Sequence, residues 1–301
     1  MEKKRLNADI AGSISSFQSV MKSFEVKTKL YRTLLKGRGL EFDGYRTYSP
    51  EDDASIIDWK ATKRTNQVLV KKYIEEKDMK VVFLIDVSEN MVSGSTNKLK
   101  CEYSAEIIAA LTNLIINSGS KVGYLFFNSN IEEFVSPARD KSHFARFMDV
   151  LTDASTYGGE PNLGNALDYS MEYIDKSVLS LVIISDFINV NNDLKEKLNM
   201  ISKRFETIAL MIRDPLDKTL PDISGELIIE DASSGERILI NPSLVKGSYE
   251  KYASEQEDFV KESFKKTGID FIELVTDKPF ISSLVSFIRE RVKITNKNVA
   301  L

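Results

Sequence analysis

The chain has 301 residues, of which 42% are hydrophobic and 29% charged, and its formal net charge is -4. This length and apolar content suit one large globular domain or two modest ones and exclude a disordered chain. The acidic balance argues against nucleic acid as the main partner, because neutralising phosphates needs a clustered excess of Lys and Arg.

The sequence holds one cysteine, Cys101, and one histidine, His143. A single cysteine excludes an intrachain disulfide framework and a cysteine-built zinc site, and a single histidine leaves little basis for a catalytic triad. The start of the chain, MEKKRLNADI, lacks the apolar core of a signal peptide, and no apolar run is long enough for a membrane span. We therefore expect a cytoplasmic protein that does not itself cross a membrane.

The first segment, residues 1 to 36, is predicted to be an amphipathic helix. Apolar residues recur at helical spacing from Ile10 through Phe17 to Phe24. Packing of this face on the rest of the protein is the favoured interpretation, and a membrane-surface or oligomerising helix is the alternative. Gly37-Arg38-Gly39 is predicted to end the segment.

The second segment, residues 37 to 78, is denser in structural signals than a linker. Charged side chains surround the single tryptophan of the chain, and a strand is predicted over residues 68 to 73. We expect a charged cluster, which would include Asp53, to fix this segment onto the core, because buried Arg and Asp pairs more often organise a fold than catalyse a reaction. The candidates for partner contact in this segment are Arg46, Asp58, Trp59 and Arg64.

The third segment, residues 79 to 295, alternates predicted strands with predicted helices. This alternation implies a mostly parallel sheet and a doubly wound α/β fold. A β-hairpin insertion is predicted near residues 225 to 240. The strands expected in the sheet cover residues 81 to 85, 121 to 127, 131 to 135, 179 to 185, 206 to 212 and 270 to 275, with 131 to 135 at an antiparallel edge.

Two of these predicted strands end in polar, acidic residues. Asp86, Ser88 and Asn90 follow the first apolar run, and Asp186 follows a later one. Because ligands of open α/β sheets bind at the carboxyl ends of the strands, these side chains are expected to lie together. Oxygen-bearing side chains suit a hard cation such as Mg²⁺, and adjacent carboxylates repel each other unless a cation relieves them. Asp, Ser and Asn also begin turns and cap helices, so a purely structural loop is the alternative.

A long signature begins with GRGLEFDGYRTYSPEDDASIIDWKATKRT and continues with LVKKY and with the strand that ends in DVSENM. It extends through Arg213-Asp214-Pro215-Leu216 and the later hairpin. With these motifs the chain resembles the domain of unknown function 58 family over roughly residues 37 to 290. Glu51 and Ser55 depart from the pattern, since the family often has Gly and Arg at these positions.

The resemblance implies a von Willebrand factor A-like, Rossmann-type fold with a metal-ion-dependent adhesion site. In that site Asn90 replaces a serine, and Glu160 or Pro161 falls at the position of a threonine. Proline offers no ligand, whereas Glu160 would complete a group of three carboxylates around one point. A degenerate site that binds no metal and serves only as a recognition surface is the alternative. The metal set implied for Mg²⁺ is Asp86, Ser88, Asn90, Glu160 and Asp186.

The same resemblance implies a non-enzymatic interaction module that binds its partner through this partly degenerate metal-ion-dependent adhesion site. Members of this family are associated with MoxR-type AAA+ ATPases and are thought to act with them in assembling or maturing other proteins or complexes, so the expected partners are such an ATPase and an unknown client protein. The sequence lacks the G-x-x-x-x-G-K-[ST] phosphate loop, so ATPase activity would have to come from the partner. One alternative is a magnesium-dependent phosphohydrolase that uses Asp86, although position 88 is Ser and no G-x-S-x-G elbow is present. The other is a structural protein that oligomerises through the first helix.

Overall fold

The computed structural model describes residues 4–22, 40–49, 52, 57–65, 67–75, 79–188, 190, 193–230 and 235–299. Several sequence-based expectations lie outside these residues. They concern Phe24, the turn at residues 37 to 39, Asp53 and the departures at Glu51 and Ser55.

The described residues form eight α-helices and ten strands. None of the described helices combines the length and the apolar character needed to cross a membrane. The helices are α1 (Ile10–Lys22), α2 (Trp59–Thr65), α3 (Lys100–Asn117), α4 (Lys141–Leu151), α5 (Leu163–Tyr173), α6 (Leu194–Arg204), α7 (Pro242–Thr267) and α8 (Phe280–Val299). The strands are β1 (Leu40–Thr47), β2 (Leu69–Glu75), β3 (Lys80–Asp86), β4 (Lys121–Phe127), β5 (Ile131–Ala138), β6 (Val178–Ser185), β7 (Glu206–Arg213), β8 (Leu227–Glu230), β9 (Arg237–Ile240) and β10 (Asp270–Val275).

Six strands form the central sheet, in the order β10-β7-β6-β3-β4-β5. Neighbouring strands are parallel except β5, which pairs antiparallel with β4 at the edge. The doubly wound, mostly parallel α/β fold is therefore confirmed, together with its antiparallel edge strand. The strand order reverses between β3 and β6, which is the position where ligands of open α/β sheets bind.

The buried strand β3 shows why helices cover both faces of the sheet. Its apolar residues are all buried, as expected for a central strand of a parallel sheet. Val81 and Phe83 pack in one apolar layer, which also contains Phe17 of α1. Val82 and Leu84, which alternate with them along the strand, pack in a second layer. The sheet therefore lies between two hydrophobic layers, and its carboxyl edge is free to carry polar groups.

The amino-terminal segment is part of the first layer. Phe17 of α1 is fully buried in it. The backbone N–H groups of Asn7 and Asp9 donate to the carboxylates of Glu102 (2.7 Å) and Glu106 (2.8 Å) on α3. The apolar face of α1 therefore packs on the rest of the protein, in agreement with the favoured interpretation.

Residues 40 to 75 include a two-stranded antiparallel sheet of their own, made by β1 and β2. The strand expected at 68 to 73 is observed as β2, whereas the sequence pattern does not predict β1 or α2. Strand β1 contains Gly44, where the pairing register shifts by one residue, and this irregularity hides the strand pattern. Attachment of the segment to the core through a charged cluster stays a prediction.

The hairpin insertion is formed by β8 and β9, with Leu227 opposite Ile240. Its position agrees with the expectation for residues 225 to 240. Ile228, Ile238 and Leu239 are each more than half exposed. A two-stranded ribbon buries little apolar area by itself, so these side chains stay in contact with water.

Candidate functional site

Two aspartates lie at the carboxyl edge of the sheet, where the strand order reverses. Asp86 ends β3 and Asp186 follows β6, and the two strands are neighbours with Ile85 opposite Ile184. Both carboxyl groups are buried. Burial raises the pKa of Asp86 from 3.8 to about 6, and the charge of Asp186 acts in the same direction. The carboxylates are therefore close enough to repel each other, as the sequence suggests.

Both oxygens of Asp86 are occupied by hydrogen bonds from the chain. Oδ1 accepts from the backbone N–H of Ser88 at 2.9 Å, and Oδ2 accepts from the hydroxyl of Ser185 at 2.6 Å. The hydroxyl of Ser88 is buried, and it has no hydrogen-bond partner among the residues that the structure describes. Asp86 thus holds the loop after β3 against the end of β6.

A lysine that the sequence reasoning missed neutralises Asp186. Lys100 is the first residue of α3, and its Nζ lies 2.8 Å from Asp186 Oδ2 and 3.2 Å from Asp217 Oδ2. The side chain of Lys100 is only 1% exposed. Burial alone would lower the pKa of this ammonium group, but the charges of Asp186 and Asp217 outweigh it and raise the pKa above its ordinary value. Lys100 therefore stays charged inside the site.

The spacing of residues along α3 contained a signal for this lysine. Lys100 lies four residues before Ser104 and eight before Ile108, and α3 is buried at every residue from Lys100 to Thr112. A lysine on a buried helical face needs a carboxylate partner, because an isolated buried charge is too costly. The next residue, Cys101, is buried as well, and burial raises the pKa of its thiol to about 12.

The signature motif after β7 joins this ion cluster to neighbouring loops. The backbone N–H of Asp214 donates to Asp217 Oδ2 at 2.8 Å. The carboxylate of Asp214 accepts from the backbone N–H of Ser95 at 2.8 Å and from the hydroxyl of Thr276 at 3.1 Å. The Asp-Pro-Leu part of the motif thus positions Asp217 beside Lys100.

Glu160 does not lie with the two aspartates. The loop that carries it is connected to the loop after β3, since the N–H of Gly158 donates to Val87 O (2.8 Å) and the N–H of Glu89 donates to Gly159 O (3.0 Å). Gly159 has a φ of 75°, a left-handed conformation that suits glycine. Glu160 itself is exposed. The described part of the chain contains no group of three His, Cys, Asp or Glu side chains placed to hold a metal ion, so the expected group of three carboxylates is not formed there.

The donor set around Asp86 does not fit a resident Mg²⁺ ion. Magnesium requires several oxygen ligands in near-octahedral geometry. Both oxygens of Asp86 already accept hydrogen bonds, and one oxygen of Asp186 faces an ammonium group. The buried hydroxyl of Ser88 is the feature that would suit a cation, whereas Asn90 is half-buried and uses its backbone oxygen to accept from the Ser93 hydroxyl at 2.7 Å. Magnesium binding stays a prediction, and these positions argue against it.

The residue after Asp186 has a strained backbone. Phe187 has a φ of 53°, which is costly for a bulky side chain. Its ring packs edge-on against Phe264 with 5.1 Å between centroids, and its N–H donates to the Ser185 hydroxyl at 3.0 Å. The N–H of Ile188 donates to Asp186 Oδ1 at 3.0 Å. Strain of this kind persists where the surroundings hold it, and here it turns the chain around the Asp186 carboxylate.

A cleft of about 370 Å³ opens beside Asp86. It lies between the starts of α5 and α6, where Asn162 caps α5 by accepting from the N–H of Asn165 at 3.0 Å. The remaining polar residues around the cleft are Ser185, Asp193 and Lys197. The cleft leads from solvent to the carboxyl edge of the sheet, but Asp86 at its inner end is almost completely covered.

The candidates in the second segment divide into structural and exposed residues. Arg46 forms a two-point ion pair with Asp52, with nitrogen–oxygen distances of 2.5 and 2.6 Å. Asp58 Oδ1 accepts from the first backbone N–H groups of α2 at 3.0 Å. Trp59 and Arg64 are exposed, and the indole of Trp59 is 68% exposed. Arg46 and Asp58 therefore shape the segment, and Arg46, Trp59 and Arg64 are accessible to a partner.

A mostly parallel sheet of this strand order, with paired aspartates where the order reverses, defines a doubly wound, Rossmann-type α/β domain. Within that class, the chain belongs to the family described as protein of unknown function DUF58, whose family model matches residues 44–258. The resemblance carried by the signature residues is therefore confirmed.

Relatives and solved structures similar to the chain include proteins from several bacteria. An uncharacterized protein of Mycobacterium tuberculosis (strain H37Rv) is 27% identical over 263 residues, which cover 86% of this chain and 81% of the relative. An uncharacterized protein of Mycobacterium avium is 32% identical over 159 residues, which cover 52% of this chain and 92% of the relative. The conserved hypothetical protein BatB from Bacteroides thetaiotaomicron has a TM-score of 0.46 at 12% identity and covers 71% of this chain and 99% of that one. The SpRpn10 VWA domain has a TM-score of 0.42 at 15% identity and covers 69% of this chain and 93% of that one. The fold assignment rests on the strand order and not on these structural likenesses.

Proposed function

We propose that this chain is a non-enzymatic protein-interaction module that docks a partner through the second segment. The observation that carries the proposal is the exposure of Trp59, whose indole is 68% exposed. Tryptophan is highly buried on average, and it is enriched among the residues that dominate binding energy at protein interfaces. The neighbouring Asp58 is fixed by the start of α2, so the indole is presented from an ordered helix.

The partner we propose is a MoxR-type AAA+ ATPase, with which the module would assemble or mature a client protein. This assignment comes from the family to which the chain belongs, and the lack of a phosphate loop in the sequence agrees with it. The carboxyl edge of the sheet supports a role in recognition over a role in chemistry. Its two aspartates are buried and are engaged by Ser185 and Lys100, which suits carboxylates that hold loops in place.

One observation, the presence of a lysine inside the site, supports the phosphohydrolase alternative. Such an enzyme would use the lysine beside its reacting aspartate, but the ammonium group of Lys100 contacts Asp186 and Asp217. A phosphomonoester assay separates the two functions. Hydrolysis by the purified chain that is lost in Asp86→Asn would favour the enzyme and contradict the interaction module.

Capture of the ATPase on immobilised chain tests the proposed function. We expect Trp59→Ala to lower the affinity roughly thirtyfold, because truncating an interface hot spot costs about 2 kcal/mol or more. Arg64→Ala, on the same helix, tests how far the surface extends. Tyr173→Ala is the matched control, since Tyr173 is an aromatic residue of α5 that is 58% exposed outside the segment.

Two outcomes would contradict this proposal in different ways. Unchanged capture by Trp59→Ala would remove the second segment as the docking surface. Absence of capture by the unaltered chain would remove the MoxR-type ATPase as the partner.

A further inference from the structure

The ammonium group of Lys100 lies between two carboxylates at the carboxyl edge of the sheet. Its Nζ is 2.8 Å from Asp186 Oδ2 and 3.2 Å from Asp217 Oδ2. Asp186 is fully buried, so water cannot supply the compensation that a charged carboxylate requires. A cation beside it relieves this cost, and the chain provides one from its own side chain.

The position of Lys100 is set by the start of α3. Its backbone N–H donates to Ser93 O at 3.1 Å, and the N–H of Leu99 donates to the carboxylate of Glu102 at 3.0 Å. Side chains of an α-helix tilt toward its amino terminus, so a lysine in the first turn reaches back toward the strand ends. The loop after β3 and the helix that follows it thus deliver the ammonium group to Asp186.

The other carboxylates around this cluster accept hydrogen bonds or feel a positive charge from within the chain. The charge of Arg213, at the end of β7, favours the charged form of Asp217. Asp214 is held by hydrogen bonds from Ser95. Asp86 is held by hydrogen bonds from Ser185 and from the loop after β3. These contacts hold the loops of the site together from within the chain.

We propose that Lys100 is the resident cation of this site, where its ammonium group takes the place of a divalent metal ion. The chain then folds and binds its partner without a metal ion. The site expected from the family would bind an acidic residue of a partner through a metal bridge. With Lys100 in place, Asp86 and Asp186 accept hydrogen bonds from the loops after β3 and β6 and hold these loops in position. The inference about binding rests on the proposed function, whereas the inference about the site does not.

The unaltered chain provides the first test, which needs no partner. The purified protein is titrated with Mn²⁺ while electron paramagnetic resonance follows the free ion, and its melting temperature is measured in Mg²⁺ and in EDTA. We expect no loss of the free Mn²⁺ signal and equal melting temperatures. One Mn²⁺ bound per chain, and lost in Asp86→Asn, would overturn the proposal.

Charge-removal variants provide the second test. Lys100→Met keeps the length of the side chain and removes its charge, and we expect the melting temperature to fall by about 10 °C, because the buried carboxylates lose their partner. The double variant Lys100→Met with Asp186→Asn should recover most of this loss, since it removes the unpaired charge. Lys266→Met is the control, because Lys266 pairs with Glu262 at 2.6 Å and both side chains are more than half exposed. A double variant no more stable than the single one would contradict a charge-balancing role.

Capture of the ATPase in Mg²⁺ and in EDTA completes the experiment, with the magnesium and nucleotide requirement of the ATPase measured separately. Equal capture is expected, and capture only in Mg²⁺ that persists after this correction would overturn the proposal. If the ATPase is captured in neither condition, the proposed function fails, while the Mn²⁺ titration still decides the role of Lys100. That titration also remains decisive if Lys100→Met does not fold.

Discussion

The carboxyl group of Asp86 is buried beside a second carboxylate, so its charged form is unfavourable in the folded protein. Burial and the charge of Asp186 raise its pKa from 3.8 to about 6. Between these two pH values the folded state holds a proton that the unfolded state has lost. The contribution of Asp86 to the free energy of unfolding is therefore largest below pH 3.8 and falls as the pH rises through about 6.

We expect Asp86→Asn to stabilise the chain at pH 7 by about 2 to 3 kcal/mol, because the amide keeps the shape of the carboxyl group without its buried charge. Urea unfolding at pH 4 and at pH 7 measures the effect, and the difference from the unaltered chain should appear only at the higher pH. Asp222→Asn is the control for removing one negative charge, since the side chain of Asp222 is 88% exposed. A destabilised variant at pH 7 would mean that the carboxylate is held by a stronger cationic partner than the structure contains.

Individual site residues differed in how far the sequence predicted them. Asp86 and Asp186 could be placed because each follows a long apolar run, and the end of a buried strand is visible in the sequence. Lys100 could not be placed by the same reasoning, since lysines are usually exposed and its partners lie 86 and 117 residues away along the chain. The left-handed backbone of Phe187 is also invisible in the sequence, because tertiary packing against Phe264 maintains it.

One carboxylate of β10 is held by two lysines, and one of these lysines lies on α7. Glu273 of β10 accepts from Lys261 of α7 at 2.6 Å and also from Lys218. Burial acts to raise the pKa of Glu273, but these two lysines outweigh it and lower the pKa from 4.5 to about 2. This contribution to stability is present above pH 4.5 and is lost as the pH falls through about 2.

We expect Glu273→Gln to lower the free energy of unfolding at pH 7 by about 1 to 3 kcal/mol, because the two lysines lose their shared partner. Thermal unfolding over a pH series measures the effect, and the gap between variant and unaltered chain should narrow below pH 4.5. Glu255→Gln is the control within α7, since Glu255 is 65% exposed and its pair with Lys251 spans 3.9 Å. Equal losses of unfolding free energy in the two variants would show that the ion pairs of Glu273 stabilise the chain no more than an exposed pair does.

Helices and strands with a regular pattern of apolar residues were predicted well. Strands whose limits depend on pairing with a neighbouring strand were not. Strand β3 could be predicted from its unbroken apolar run. Strand β5 is predicted to stop at residue 135 but continues to Ala138, because Ala138 pairs with Val122 of β4. Strand β1 was missed because its partner follows an intervening helix, and a bulge at Gly44 interrupts its pattern.

For the molecule as a whole, the fold class followed from alternating strands and helices, and the structure confirms it. The sheet order supplied what the alternation alone could not, namely that β3 and β6 are neighbours although β4 and β5 lie between them in the chain. Phe17 shows the same limit, since its periodicity indicates a helix but only the structure shows the layer in which it is buried.

The labelling rate of the single thiol of the chain measures motions of the candidate site. Cys101 is fully buried next to Lys100, and its pKa is raised to about 12 by burial, so almost none of the reactive thiolate exists at neutral pH. We expect a disulfide-exchange reagent such as dithiobis(nitrobenzoate) to label the native chain slowly and the urea-unfolded chain rapidly, with one thiol released per chain. Rapid labelling of the native chain would contradict a closed start of α3. Because no other cysteine competes, the labelling rate reports how often this helix start opens, without an engineered probe.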